Sequence, residues 1–202
     1  MEAMPAMRDP ICAQCGVHLP DGGKHCFRCK KGKIHFDVVR SFGSFEGPLK
    51  ELIHKFKYEG KDYLGEDLSF FLLKAWNLYP ELKAAEAAVP VPLHGASLRE
   101  RGYNQAEVLA KHFVLWLQPH PLPCADLLER VRRTETQTRL ASRARAKNVE
   151  SAFTVRDPSA VKGKTILLVD DVCTTCATLN ECAITLKGAG ARKVFALTLA
   201  RN

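Results

Sequence analysis

The segment ILLVDDVCTTCATL, residues 166–179, decides how this chain folds. Its apolar run, Ile166 to Val169, is typical of a strand buried on both faces of a parallel sheet. Two acids and a threonine-rich turn follow, and an apolar stripe at helical spacing begins beyond the turn. We therefore predict a strand, a turn and a helix in this order. The open question is whether the turn binds a phosphate, or whether Cys173 and Cys176 make it a metal or redox site.

The residues after this segment complete a βαβ unit. RKVFALTLA, residues 192–200, follows a glycine-containing turn and predicts a second strand. Two strands joined by a helical crossover are parallel, so the predicted fold class is α/β with a parallel sheet. The helix between them is predicted to bury a stripe made of Leu179, Cys182, Ala183 and Leu186.

Shorter patterns place the other elements of the main body. Apolar residues at i, i+3, i+4 and i+7 predict amphipathic helices, and short apolar or β-branched runs predict strands. The residues HFDVVRSFGSFEG, 35–47, are predicted to form a hairpin of two short strands around Gly43. The predicted helices cover residues 48–58, 65–78 and 104–117, and two further strands lie within 87–92 and 152–155.

The composition indicates a cytosolic protein with one main domain. A chain of 202 residues with 46% hydrophobic content can bury one substantial core and carry a small appendage. The N-terminus has no apolar signal-peptide stretch, and the longest apolar run, residues 68–73, is too short to span a bilayer. We therefore expect a cytoplasmic location without membrane insertion. The net charge of +8 favours anionic partners, although cations that only solvate the surface would give the same value.

Four of the eight cysteines have the spacing of a metal site. Cys12, Cys15, Cys26 and Cys29 form two Cys-x-x-Cys turns separated by ten residues. Two such turns complete the tetrahedron of thiolates that Zn²⁺ prefers, and four thiolates leave no open position for catalysis. A segment of about 30 residues cannot build a core alone, so the metal would supply its folding free energy. We predict a structural zinc knuckle over residues 1–34 and a main domain over 35–202.

The turn after Val169 has the features of a phosphate site. In an open parallel sheet, ligands bind where strands end and helices begin. The backbone amides of residues 174–178 would point from a helix N-terminus, where they can hold a phosphate without a lysine. Asp170 and Asp171 can accept hydrogen bonds from sugar hydroxyls. A ribose 5-phosphate offers both groups.

Several alternatives compete with this interpretation. A nucleotide-hydrolase loop at GKT, residues 163–165, fails because Pro158 replaces the first glycine and the motif precedes the strand. A phosphoacceptor aspartate would not explain the threonines, and aspartates or threonines that only cap the helix remain open. A redox pair of Cys173 and Cys176 also remains open, although the neighbouring acids oppose thiolate formation.

The segment ILLVDDVCTTCAT resembles the phosphoribosyl pyrophosphate (PRPP) signature of the type I phosphoribosyltransferase superfamily. The four-cysteine knuckle, VPVPLHGASLRERGYNQAEVLA (89–110) and RRTETQTRLASRARAKNVESAF (132–153) narrow the resemblance to the ComF family of competence-associated proteins. In sequence order these stretches cover nearly the whole chain. The resemblance implies a type I phosphoribosyltransferase fold that binds PRPP with Mg²⁺.

The resemblance also implies roles for individual residues. Asp170 and Asp171 would contact the ribose hydroxyls and are the catalytic candidates, and the turn near Leu93 and His94 would lie against the pyrophosphate. The 5-phosphate would be held by Thr174, Thr175, Cys176, Ala177 and Thr178. A basic cover over the site, or a DNA-binding surface, would be formed by Arg99, Arg101, Arg132, Arg133, Arg139, Arg143 and Arg145.

Cys176 departs from the superfamily signature, which has glycine at this position. Glycine permits an unusual backbone conformation and a close approach to the phosphate. The side chain of Cys176 is therefore expected to crowd the ligand, and Cys176→Gly is expected to raise the affinity for PRPP.

Nucleic acid is the second predicted class of ligand. Residues 130–147 contain seven basic residues and one acid, which suits either a DNA backbone or a pyrophosphate. Phe27, Tyr58 and Tyr103 are candidates for stacking on bases. The ComF resemblance implies a role in natural transformation with single-stranded DNA, beside a helicase, and a homodimer is also considered. An accessory protein of DNA uptake is the main prediction; a phosphoribosyltransferase of unknown acceptor and a PRPP-sensing regulator remain open.

Overall fold

The computed structural model describes residue 7 and residues 9–118, 121–132 and 151–202. Its centre is a sheet of four parallel strands, β1 (Val38–Ser44), β2 (Ala87–Pro90), β5 (Thr165–Cys173) and β6 (Lys193–Arg201). Their order across the sheet is β1-β6-β5-β2. A separate antiparallel pair is formed by β3 (Leu128–Arg130) and β4 (Phe153–Val155). The predicted α/β class with a parallel sheet is confirmed.

Helices cover both faces of the sheet. They are α1 (Phe27–Lys31), α2 (Gly47–Tyr58), α3 (Leu64–Leu78), α4 (Gly95–Arg101), α5 (Gln105–Leu115), α6 (Pro158–Val161) and α7 (Ala177–Gly188). A 3-10 turn, Pro80–Ala84, precedes β2. The predicted helices at 48–58, 65–78 and 104–117 are confirmed as α2, α3 and α5. Among the described residues, no helix is both long enough and apolar enough to cross a membrane.

The alternating side chains of β5 divide the core into two layers. Leu167 and Val169 face one layer, which also contains the buried residues of α2, α3 and α5. Ile166 and Leu168 face the other layer with α7, whose buried residues include the predicted stripe Leu179, Cys182, Ala183 and Leu186. Both faces of the strand are buried, which explains why its sequence is continuously apolar.

The predicted hairpin at 35–47 is wrong. The segment forms the single strand β1, which pairs in parallel with β6 and keeps Gly43 within the ladder, opposite Ala200. The alternating pattern of this segment is compatible with either arrangement. Its partner strand lies more than 150 residues away along the chain, so the local sequence does not reveal the parallel pairing.

The cysteine-rich segment packs tightly on the sheet beside β1. Cys12 and Cys15 are buried in the same layer as α7. The backbone N–H of Val39 donates to the carbonyl of Gln14 at 2.7 Å. A Cβ on Gly16, which has a φ of +69°, would lie 2.7 Å from the carbonyl oxygen of Val39. The close contact therefore requires glycine at position 16.

Candidate functional site

A crevice of about 360 Å³ opens where β2 and β5 end. The two strands pair in parallel, so their carboxyl ends meet at the same edge of the sheet. Asp170 and Asp171 contribute to its wall from the end of β5, and Thr174 and Thr178 from the turn into α7. The wall also contains Leu93, His94 and Ser97 after β2, Lys57 and Tyr58 at the end of α2, Arg101 of α4, Gln105 of α5 and Arg130 of β3. The predicted acids, the threonine turn and the turn after VPVP are thus brought together.

Two acids lie side by side in the wall of the crevice. Asp171 is only 7% exposed, and its Oδ1 lies 2.8 Å from Nζ of Lys57. Asp170 accepts a hydrogen bond of 2.8 Å from the backbone N–H of Asp171. Burial, followed by the negative charge of Asp171, raises the pKa of Asp170 to about 7. One of the two carboxyl groups therefore changes its charge near neutral pH.

The threonine turn leads directly into α7. The N-cap residue of this helix is Cys176, whose side chain makes no capping hydrogen bond. Backbone N–H groups in the first turn of a helix need partners from outside the helix, and an anion is a suitable one. Thr174 and Thr178 line the crevice, whereas Thr175, Cys176 and Ala177 do not. These three can contribute through their backbone.

Cys176 adopts the left-handed conformation, with φ 53° and ψ 16°. The sequence departs from glycine here, but the backbone keeps a conformation that favours glycine. The sulfur of Cys176 lies 2.7 Å from Nη1 of Arg201, and neither residue lines the crevice. The sulfur thus contacts Arg201, and the expectation that Cys176 crowds a bound phosphate stays a prediction.

The surroundings of Cys176 also differ from the acidic environment that the sequence suggested. A hydrogen bond with Cys173 and the positive charge of Arg201 lower the pKa of Cys176 to about 6. Burial raises the pKa of Cys173 well above its ordinary value. Arg201, which sequence reasoning did not consider, thus offsets the effect of the neighbouring acids.

The turn after β2 is held in place by two caps. Nδ1 of His94 accepts a hydrogen bond from the backbone N–H of Ala96 at the start of α4. Asn104 caps α5 through its side-chain oxygen, and its Nδ2 donates to the carbonyl of Val91 at 3.1 Å. Asn104 therefore ties the beginning of α5 to the end of β2, which fixes the wall that carries Leu93 and His94.

The predicted basic residues are distributed unevenly around the crevice. Arg101 lines it, with its guanidinium 5.2 Å from the ring centre of Tyr58 and a 2.9 Å hydrogen bond to Gln105. Arg99 and Arg132 are exposed and outside the lining. Arg133, Arg139, Arg143 and Arg145 lie outside the described residues.

Two cations of the crevice were missed as site residues. Lys57 lies on the basic face of α2. Arg130 is the last residue of β3 and the first of the basic run at 130–147. In the sequence, both residues belong to groups of basic side chains that are typical of a solvent-exposed surface. Their position beside the acids depends on how α2 and β3 pack around the sheet, which no local motif reveals.

The four predicted metal ligands form a compact cluster. The sulfur atoms of Cys12, Cys15, Cys26 and Cys29 all lie within 4.8 Å of one another, and those of Cys15 and Cys26 are 3.7 Å apart. A tetrahedral site with Zn–S bonds of about 2.3 Å has sulfur atoms about 3.8 Å apart. Backbone N–H groups of Cys26 and Cys29 point at the sulfurs of Cys12 and Cys26. The donor set and its spacing fit a tetrahedral metal ion.

Comparisons with known proteins agree with this architecture. The family model for the phosphoribosyl transferase domain matches residues 96–202. The chain is 32% identical to competence protein F of Haemophilus influenzae, over 95% of this chain and 85% of that protein. It is 30% identical to the DNA utilization protein YhgH of Escherichia coli K12, over 95% and 84% of the two chains. Competence protein ComFC of Streptococcus pneumoniae is 28% identical, over 80% of this chain and 67% of that protein.

The fold, the crevice and the family match define a protein of the phosphoribosyltransferase type. Within this class, the chain belongs to the ComF family of competence proteins, as the similarity over nearly its whole length shows.

Proposed function

We propose that the crevice binds PRPP with Mg²⁺ and that the protein is an accessory of DNA uptake in natural transformation. The observation that carries the proposal is the meeting of Asp170, Asp171 and the threonine turn in one crevice. The acids can accept from the ribose 2- and 3-hydroxyls while the start of α7 holds the 5-phosphate. Leu93 and His94 would lie along the pyrophosphate, with Lys57, Arg101 and Arg130 offsetting its negative charge.

Isothermal titration calorimetry with PRPP tests this proposal. In the presence of Mg²⁺ we expect a single site with a stoichiometry of one, and weaker binding of ribose 5-phosphate, which lacks the pyrophosphate. The proposal would be contradicted if neither ligand produced a heat of binding, or if ribose 5-phosphate did not compete with PRPP.

The affinity for PRPP is expected to rise with pH through the neutral range. Asp170 has a raised pKa of about 7, so it is protonated below that pH and can accept fewer hydrogen bonds from the ribose. Because the ligand binds the ionised carboxylate, binding below pH 7 requires that Asp170 first lose its proton. The affinity for PRPP should therefore increase by a factor of about 10 between pH 6 and pH 8. Titrations of Asp170→Asn separate this effect from the ionisation of the ligand. A wild-type pH profile identical to that of the variant would contradict the assignment.

Zinc is proposed as the ion held by the four cysteines. All four ligands are thiols, which favours Zn²⁺ over hard cations such as Mg²⁺. Closed coordination by four thiolates leaves no position for a substrate, so the proposed role of the metal is structural.

Single-stranded DNA is proposed as the macromolecular ligand. The names of the relatives refer to competence and DNA utilization, and the chain carries a net charge of +8. Tyr58 is 52% exposed at the crevice and stacks with Arg101, and Phe27 is 73% exposed on α1. Exposed aromatic and cationic side chains of this kind suit bases and phosphates respectively.

DNA affinity is expected to depend steeply on salt. If about six phosphates are contacted, each contributes about 0.7 to the salt slope of a single strand, so raising salt from 50 to 200 mM should weaken binding by a factor of about 300. Fluorescence anisotropy with a labelled oligonucleotide measures this dependence. Replacing Arg132, Arg133, Arg143 and Arg145 by glutamine should flatten the salt slope by about 0.7 per lost contact. A slope that does not change in this variant would exclude the basic run from the interface.

Transfer of the phosphoribosyl group is the second candidate function, and the match to the phosphoribosyl transferase domain favours it. The chemistry would proceed through an oxocarbenium-like sugar, where neutralising the departing pyrophosphate is the main contribution of the protein. Release of pyrophosphate from PRPP with a nucleobase or an amine would support this function. A change in DNA affinity on adding PRPP, without pyrophosphate release, would instead support a PRPP-sensing regulator.

A further inference from the structure

Arg201 contacts sulfur atoms from three separate parts of the chain. Its Nη1 lies 2.7 Å from Sγ of Cys173, at the end of β5, and 2.7 Å from Sγ of Cys176, at the start of α7. Its Nη2 lies 3.4 Å from Sγ of Cys15, one of the four candidate metal ligands. The arginine is only 6% exposed, so water does not replace these contacts readily.

The chemistry of the guanidinium makes this arrangement a rigid connection. Arginine is planar, permanently charged and has several N–H donors in a fixed geometry. One edge of Arg201 therefore holds the two cysteines that flank the threonine turn, and the other edge reaches the metal cluster. A shift of Cys15 away from its position in the cluster would move or release the same group that contacts Cys176.

Charge supports the same conclusion. Four thiolates around one divalent ion leave a net negative charge, and hydrogen bonds to metal-bound ligands tune the site. Within the described chain, Arg201 is the arginine placed against a candidate ligand sulfur of this cluster. Arg40, the other buried arginine near this segment, donates instead to the carbonyl of Ala13.

We propose that Arg201 is a positioning residue that couples metal binding at the four cysteines to the conformation of the phosphate-binding turn. Metal binding fixes the position of Cys15. Because Arg201 contacts both Cys15 and the two cysteines of the turn, a fixed Cys15 holds Arg201, and Arg201 holds the turn in its ligand-binding form. Because coupling between two sites is reciprocal, a ligand on the turn should also strengthen metal retention. This second part rests on the proposed function, since it requires a phosphorylated ligand at the turn.

The metal arm of the test does not depend on any ligand of the crevice. Zinc affinity, measured by competition with a chromophoric chelator, should fall by about 10–100-fold in Arg201→Met, as expected for a lost contact to a metal ligand. Arg201→Lys keeps the positive charge but cannot contact the turn cysteines and Cys15 at the same time. Its zinc affinity should therefore lie between those of the wild-type protein and Arg201→Met. With Co²⁺ in place of Zn²⁺, the thiolate-to-cobalt absorption should shift in Arg201→Met. It should not shift in Arg40→Met, which alters a contact to the segment without touching a sulfur.

Cys176→Gly provides a variant that does not depend on the folding of the arginine mutants. Glycine adopts a φ of 53° without strain, so the turn keeps its backbone while one contact to Arg201 is lost. Although residue 176 is not a metal ligand, the cobalt absorption should shift in this variant. Cys182→Ala removes another buried cysteine of α7 and should leave the absorption unchanged.

The ligand arm uses ribose 5-phosphate, which needs no Mg²⁺. Saturating ribose 5-phosphate should raise the zinc affinity of the wild-type protein by about fivefold or more, and this factor should approach one in Cys176→Gly. If wild-type zinc affinity and cobalt absorption persist in both Arg201→Met and Cys176→Gly, the coupling is overturned. If calorimetry detects no ribose 5-phosphate binding to the wild-type protein, the proposed function fails, and the metal arm still decides whether Arg201 has this role.

Discussion

Replacing both Asp170 and Asp171 by asparagine is expected to lower the affinity for PRPP by a factor of at least about 100. In the proposed complex each carboxylate accepts a hydrogen bond from a ribose hydroxyl, and hydrogen bonds to charged groups contribute about 1.5–3 kcal/mol each. Two such losses amount to at least about 3 kcal/mol, and every 1.4 kcal/mol is a factor of about 10. Asparagine keeps the size and shape of the side chains, so the change isolates their charge.

Calorimetric titration with PRPP and Mg²⁺ measures the effect, and circular dichroism verifies the fold of the variant. Asp126→Asn is a matched control, because Asp126 is exposed and does not line the crevice. Wild-type affinity in the double variant would place the ligand elsewhere on the protein. A similar loss in the Asp126 variant would indicate a general effect of charge and not a specific contact.

Replacing Cys12 by serine is expected to lower Tm by about 8–16 °C. Cys12 has no exposed surface, belongs to the four-cysteine cluster and packs in the same core layer as α7. Structural zinc contributes about 10–16 kcal/mol in zinc-finger peptides. Even a loss of about 4 kcal/mol corresponds to about 8–16 °C in a protein of this size.

Differential scanning calorimetry and measurement of bound zinc test this prediction together. Cys124→Ser is the control, since Cys124 is partly buried but lies outside the cluster. We expect that the Cys12 variant loses its zinc and that the Cys124 variant retains it with a small change in Tm. Full stability of a zinc-free Cys12 variant would show that the metal does not support the fold.

Elements with strong local periodicity could be predicted from the sequence. The helices α2, α3 and α5 and the buried stripe of α7 follow from apolar residues at helical spacing, and the βαβ unit follows from its order of elements. The four-cysteine cluster is also encoded largely locally, because each Cys-x-x-Cys turn brings two sulfurs together. In these cases, the interactions that determine the structure join residues close in the chain.

The features that the sequence did not reveal depend on contacts between distant segments. For residues 35–47, two short strand-like runs around Gly43 predict a hairpin, and this prediction is wrong because the true partner, β6, lies at the other end of the chain. Lys57 reaches Asp171 only because α2 packs beside the end of β5. For Cys176, the unusual backbone could be predicted from the position of glycine in the signature, but the direction of its sulfur depends on Arg201.

A crystal structure of the protein soaked with PRPP and Mg²⁺ tests the central claim most directly. We expect the 5-phosphate to lie on the backbone amides of residues 174–178, and Asp170 and Asp171 to accept hydrogen bonds from the ribose hydroxyls. An empty crevice at saturating ligand, or a metal ion shared by the sulfurs of Cys173 and Cys176, would contradict it.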